Sequence, residues 1–219
     1  MRALLRAGAL RMGSRLIVGV DLDGVVFNYA AGFISMLNAY AGMKIPEDYQ
    51  PPDFTWSEVL DGAIENAYRR RFHLTPGFWE KLPIYDDARG AILEFMVSHP
   101  ESVVMYISAR PVANKLVLSE TQRALRRHGL LPEGSTVVLV RRYEDKKLIA
   151  MASGAKYVID DAPQAVNVCH PEVRGILVKK KWNLNSAVSP KVAVVRTLAE
   201  AFSFIEDREK RLHRLQKAV

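Results

Sequence analysis

Six short β-rich runs decide what this chain can fold into: "LIVGV" at 16–20, "VVMYI" at 103–107, "TVVLV" at 136–140, "YVI" at 157–159, "GILV" at 175–178 and "VAVV" at 192–195. Each is close to continuously apolar rather than alternating, the pattern of parallel strands buried on both faces. Segments of helical length separate the later runs. Residues 113–129 end in Arg126, Arg127, His128 and Gly129, a basic last turn followed by a helix-ending glycine. Residues 144–154 and 162–170 read as two further helices. A last one, over 197–217, places Leu198, Phe202, Ile205, Leu212 and Leu215 on one side. This alternation predicts an α/β fold, a doubly wound (Rossmann-like) and mainly parallel sheet.

One interval breaks the alternation. More than 80 residues separate the first two strands, far beyond what one crossover helix needs. They include two aromatic-rich segments of helical pattern, "AAGFISMLNAYAG" at 30–42 and "DFTWSEVLDGAIENAYRRRF" at 53–72, broken by Pro46, Pro51 and Pro52. An insertion at the C-terminal end of a first strand stands above the edge where such sheets bind ligands. The expectation is a small helical cap over 30–80, with the α/β core made by 16–29 and 81–219; helices that merely pad the sheet are the plain alternative.

Net charge argues little. Of the formal +7, four charges come from Arg2, Arg6, Arg11 and Arg15 in an N-terminal tail over 1–15 that holds no acid, so the remainder carries +3. That leader reads as a disordered tail, a transit-like peptide or sequence upstream of a start at Met12. The single cysteine, Cys169, allows no internal disulfide and suits a reducing compartment. No apolar run approaches the roughly 20 residues needed to cross a bilayer. These readings point to a cytoplasmic protein, a monomer or a homodimer, with no membrane partner.

The polar residues at the strand ends form a set. Strand 16–20 runs into Asp21 and Asp23, followed by Gly24; strand 103–107 runs into Ser108; strand 157–159 runs into Asp160 and Asp161. In a parallel sheet these ends lie on one edge, and Lys146 opens the helix before the third of them. Carboxylates crowded together demand a cation, and an oxygen-only donor set favours Mg²⁺. One carboxylate can attack phosphorus while a second passes a proton to the departing alcohol and then takes one from water. Ser108 and Lys146 suit the phosphoryl oxygens, and Gly24 lets backbone N–H groups turn towards them without a Cβ in the way. Asp161 also stands where it could cap a helix starting near Ala162 and Pro163. Asp86 and Asp87 read as helix-start acids, and no histidine shows ligand spacing.

"DLDGV", "ISAR", Lys146 and "IDD" resemble, in order and setting, the four motifs of the haloacid-dehalogenase-like phosphatases, over about residues 16–185. The resemblance implies Asp21 as nucleophile and Asp23 as general acid/base. It implies a phosphate-binding group of Gly24, Ser108, Ala109 and Lys146. Mg²⁺ would be held by Asp21, Asp160 and the backbone carbonyl of Asp23, with Asp161 orienting the metal's waters. Lys147 competes with Lys146 for the lysine role; spacing to Gly154 and Asp160 favours Lys146. Asp23 argues against dehalogenation, since dehalogenases of the superfamily lack this second aspartate.

The long insertion, "GFWEKLPIYDDARGAI" and "KKWN" look like the 5′(3′)-deoxyribonucleotidase branch. That likeness implies a nucleotide substrate, with Tyr29, Phe54 and Trp56 as a base pocket; a cap core is an equal reading of the three. "SAR" departs from the branch, putting Arg110 where the animal nucleotidases usually carry a serine–proline pair. "SARP…T…L…HG" is instead similar to polynucleotide 3′-phosphatase domains, in which case nucleic acid would be the partner and Arg110 a substrate contact. No P-loop accompanies it. A non-catalytic phospho-ligand binder on the same fold is the third reading.

Overall fold

The computed structural model describes residues 15–167 and 173–217. Most of the basic leader, Cys169 and the end of the helix expected over 162–170 lie outside the described residues. The six apolar runs form β1 (Ile17–Val20), β2 (Val103–Ser108), β3 (Thr136–Leu139), β4 (Tyr157–Asp160), β5 (Arg174–Val178) and β6 (Ala193–Val195). All pair in parallel, in the order β3-β2-β1-β4-β5-β6. The chain therefore winds outwards in one direction from β1 to β3 and in the other from β4 to β6. The reversal falls between β1 and β4, which is where sheets of this type open a crevice at their C-terminal edge.

The helices are α1 (Tyr29–Ala41), α2 (Gly62–His73), α3 (Phe78–Lys81), α4 (Asp86–Ser98), α5 (Lys115–Arg127), α6 (Asp145–Ser153), α7 (Pro163–Asn167) and α8 (Leu198–Lys217). Their ends follow local chemistry. Asn28 caps α1 by accepting from the N–H of Ala31 at 3.1 Å, and Asp61 caps α2 by accepting from Ala63 at 2.8 Å. Asp86 and Asp87 occupy the first turn of α4. Gly129, with a φ of +73°, follows the basic end of α5.

Two stretches differ from the sequence reading. The segment 53–61 is not helical: Asp53 accepts from both the N–H (2.7 Å) and the hydroxyl (2.6 Å) of Thr55, folding the chain into a turn right after Pro51 and Pro52. On α8 the apolar stripe is buried only as far as Ile205, while Leu215 is 66% exposed because the helix runs past the sheet.

α1, α2 and α3 belong to the insertion between β1 and β2. Phe33, Trp56, Phe72, Phe78 and Trp79 from this insertion pack in one apolar cluster with Val18, Val20, Tyr106 and Ile159 of the sheet. A side chain on α5 fastens the return path. Glu120 is buried and accepts from the N–H groups of Gly77 (2.7 Å) and Trp79 (3.2 Å), supplying the N-terminus of α3 with an anion. Glu80 is gripped by Arg123 at 2.7 Å. The C-terminal side of the insertion is thus bonded to α5.

Candidate active site

β1 delivers Asp21 directly: its N–H continues the ladder to Ile159 of β4 at 2.9 Å. The chain then turns tightly, with the N–H of Phe27 on the carbonyl of Leu22 (2.7 Å) and that of Gly24 on the carbonyl of Phe27 (2.8 Å). Gly24 has a φ of +87°, and a Cβ there would strike the carboxylate of Asp161 and crowd Trp182. Only glycine satisfies both conditions.

Ser108 and Asp160 are the last residues of β2 and β4, so the sheet edge gathers Asp21, Ser108 and Asp160. Lys146, not Lys147, reaches in from α6. Its ammonium donates to Asp21 Oδ1 at 2.7 Å and to Asp160 Oδ2 at 2.6 Å, with the residue only 1% exposed. Burial opposes the charge on Lys146, but the Asp160 and Asp21 carboxylates outweigh it and hold the ammonium above its usual range. Burial also pushes Asp21 up to about 7, against the pull of Lys146 and with the repulsion of Asp160 and Asp23 behind it. Asp161 is raised well above its ordinary value by burial and by its neighbours Asp160 and Asp21.

Oxygen atoms of Asp21, Asp160 and Asp161 lie within 4.8 Å of one another. Fully ionised, the three buried carboxylates would carry two negative charges that Lys146 does not offset, the crowding that raises Asp21 and Asp161. An all-oxygen donor set with that deficit fits a hard divalent cation such as Mg²⁺. Asp23 is set apart: its carboxylate turns away into a two-point ion pair with Arg110, at 2.8 Å from Nε and 2.7 Å from Nη2. The carbonyl of Ala162 accepts from the N–H groups of Ala165 and Val166, so Ala162 holds the cap position considered for Asp161, and its own N–H donates to Asp160 Oδ1 at 2.8 Å. Asp161 Oδ2 instead accepts from the indole N–H of Trp182 at 2.6 Å. Asn183 reinforces this by donating to the Asp161 carbonyl at 2.7 Å.

Above these groups opens a cavity of about 210 Å³. Its floor includes Asp21, Asp23, Gly24, Ser108, Ala109 and Asp161. Its walls include Tyr29, Phe54 and Trp56, the three aromatics singled out in the sequence. Trp56 serves the cap interior as well, packed against Phe33 (5.0 Å) and Tyr49 (5.8 Å). Arg69, His73 and Tyr143 also line it and carried no motif, together with Trp79 and Trp182 from the quoted stretches "GFWEKLPIYDDARGAI" and "KKWN". Arg69 and His73 lie one helical turn apart on α2, a spacing that marks a shared face but not which face. Tyr29 joins them, its hydroxyl 2.8 Å from His73 Nε2 and 3.4 Å from Arg69 Nη1. Burial holds His73 down to about 4, with Asp23 opposing and Arg69 assisting, so its imidazole is neutral.

The family model described as 5′ nucleotidase, deoxy (pyrimidine), cytosolic type C protein matches residues 15–214. The chain belongs to this family. It is a phosphatase, a phosphoric monoester hydrolase of the nucleotidase type, on the haloacid-dehalogenase-like fold. No similar sequence was found among curated proteins. Among solved structures this nucleotidase-family chain is similar to a haloacid dehalogenase-like family hydrolase from Streptococcus pneumoniae, at 10% identity over 89% of this chain and 100% of that chain, with a TM-score of 0.57. It is similar to L-2-haloacid dehalogenase from Xanthobacter autotrophicus with chloropropionic acid covalently bound, at 12% identity over 88% and 98%, with a TM-score of 0.53. A third is the haloacid-dehalogenase-type protein YfnB from Bacillus subtilis bound to magnesium, at 15% identity over 88% and 99%, with a TM-score of 0.52. At these identities the likeness establishes the fold. No helix among the described residues is long and apolar enough to cross a membrane.

Proposed function

We propose that the protein is a Mg²⁺-dependent 5′-nucleotidase that hydrolyses (deoxy)nucleoside monophosphates through an aspartyl-phosphate on Asp21. The observation that carries this reading is the convergence of Asp21, Ser108, Lys146 and Asp160 beneath a cavity walled by aromatic rings. In the first half-reaction an oxygen of Asp21 bonds to phosphorus and the ester oxygen departs, taking a proton from Asp23. In the second, a water gives its proton to Asp23 and its oxygen to phosphorus; the bond to Asp21 breaks and inorganic phosphate leaves. Lys146, the Ser108 hydroxyl and the backbone N–H of Ala109 are assigned to the phosphoryl oxygens, while Gly24, whose own N–H is taken by the Phe27 carbonyl, leaves the turn beside them free of a Cβ. Asp21, Asp160 and the Asp23 carbonyl are assigned to Mg²⁺, with Asp161 beside them. When bound, the cation supplies positive charge to phosphoryl oxygens and offsets the crowded carboxylates.

The aromatic walls favour a flat, apolar leaving group such as a nucleobase, held against Tyr29, Phe54 and Trp56. The cavity's two arginines are each committed to an acid, Arg69 to Glu65 at 2.7 Å and Arg110 to Asp23 at 2.7 Å, which suits a single phosphate rather than a di- or triphosphate. With its fork on Asp23, Arg110 is not directed at a second phosphate, which supports a nucleotide over a 3′-phosphorylated polynucleotide as substrate. The cap is assigned to 30–80 and the core to 16–29 with 81–219. A reducing, cytoplasmic setting and a monomer or homodimer complete the proposal. A phosphate-release screen with Mg²⁺ tests it, covering nucleoside 5′- and 3′-monophosphates, sugar phosphates and a 3′-phosphorylated oligonucleotide. Release from nucleoside 5′-monophosphates is expected; release from the oligonucleotide alone contradicts it.

A further inference from the structure

We infer that Arg110 is a positioning residue for Asp23, fixing the carboxylate that serves the ester oxygen, rather than an arginine that binds substrate. The inference deepens the proposed function and rests on the assignment of Asp23 there. Arg110 is 2% exposed. Its Nε and Nη2 meet the two oxygens of Asp23 at 2.8 and 2.7 Å, and its Nη1 donates to the Thr121 hydroxyl at 2.6 Å. Thr121 is itself fixed, donating to the carbonyl of Val117 one turn back on α5 at 2.6 Å. Trp79 and Phe27 lie against the guanidinium, with ring centroids 4.7 and 5.0 Å from Cζ. The planar fork is therefore held both along its edges and on its faces.

Asp23 has no such support of its own. It stands in the turn after β1, with its side chain 24% exposed to the cavity. A carboxylate offers about four lone-pair directions, and the fork takes one on each oxygen, leaving the others free for the reaction. A substrate-binding arginine would keep N–H groups directed at the phosphoryl position. Here three of its N–H directions are spent on Asp23 and Thr121. The support also reaches the cap, because Trp79 is pinned to α5 by Glu120. A guanidinium fork that holds an acid/base in register acts on the step that protonates the leaving oxygen, and little on substrate affinity.

The test is steady-state kinetics of Arg110→Gln, Arg110→Lys and Thr121→Val on two esters. One is thymidine 5′-monophosphate, whose alkoxide must be protonated as it leaves; the other is p-nitrophenyl phosphate, whose phenolate leaves unaided. For Arg110→Gln the expected result is a loss in kcat on the order of 100-fold on the nucleotide. The loss on the aryl ester should be smaller, because Asp23 then serves only the water of the second half-reaction, with KM within about threefold for both. Arg110→Lys should recover only part of the loss, since an ammonium cannot make the fork. Thr121→Val, which keeps the ion pair but frees Nη1, should show a smaller loss with the same preference, and it carries the test if Arg110→Gln does not fold. A rise in KM with kcat on the nucleotide intact in folded variants overturns the inference while leaving the proposed function standing. A wild-type enzyme inert on both esters overturns the two together.

Discussion

The ammonium of Lys146 sits between Asp21 and Asp160 at 2.7 and 2.6 Å, closing a buried triad whose members are 14 and 125 positions apart in the chain. Removing one partner of such a group leaves an uncompensated buried charge. Lys146→Met should cost about 3–5 kcal/mol of stability in chemical denaturation. Added Mg²⁺ should restore part of that loss, and phosphatase activity should fall by more than tenfold. Lys147→Met, on the half-buried neighbour, should stay near wild type in both measurements.

Asp21 gives a pH dependence of definite sign. Its carboxyl is raised from 3.8 to about 7 in the fold, so the folded state holds this proton more tightly than the unfolded chain. The contribution is favourable below the unfolded value and is lost as pH rises towards 7. In EDTA, the melting temperature of wild type should therefore fall relative to Asp21→Asn between about pH 4 and about pH 8. Saturating Mg²⁺ should cancel much of that trend, by about 2.7 kcal/mol at a hundredfold excess over Kd.

Trp182 donates to Asp161 at 2.6 Å, and Asn183 holds the carbonyl of the same residue. Trp182→Phe keeps the ring and removes the N–H. Partners of this kind are worth about 10–100-fold in metal affinity. Calorimetric titration with Mg²⁺ should show a weakening in that range, with the melting temperature of the metal-free protein little changed.

His73 is held neutral down to about 4, well below its ordinary 6.5. As pH falls through 6.5 the unfolded chain takes up a proton that the folded chain refuses until about 4, so this residue costs stability across that window. The melting temperature of His73→Gln relative to wild type should rise as pH drops from about 7 to about 4.5. A flat difference would mean that the imidazole is not shielded.

Strand ends were the legible part of this site. Asp21, Ser108 and Asp160 follow apolar runs that had to be parallel strands, so their convergence follows from topology. Lys146 was separable from Lys147 only by spacing, and the fold decided by burying one ammonium between two acids. Arg110 was visible as a departure from the motif, but its partner lies 87 positions away and no pattern names it. The cap was the obscure part. Arg69 and His73 share a helix face, yet periodicity does not say whether that face meets a cavity or the core. Asp53 defeated the helical pattern at 53–61 because a side chain bonding two groups of Thr55 competes locally with helix hydrogen bonds. Leu212 and Leu215 continue the apolar stripe beyond Ile205, where they stay 38% and 66% exposed.

The central claim is a covalent bond from Asp21 to phosphorus. Rapid acid quenching during turnover of a nucleoside monophosphate, followed by peptide mass spectrometry, measures it. The account predicts one phosphoryl group on Asp21 and none in Asp21→Asn, which should be folded and inactive. Full turnover by Asp21→Asn, or a phosphoryl group found on another residue, would contradict it.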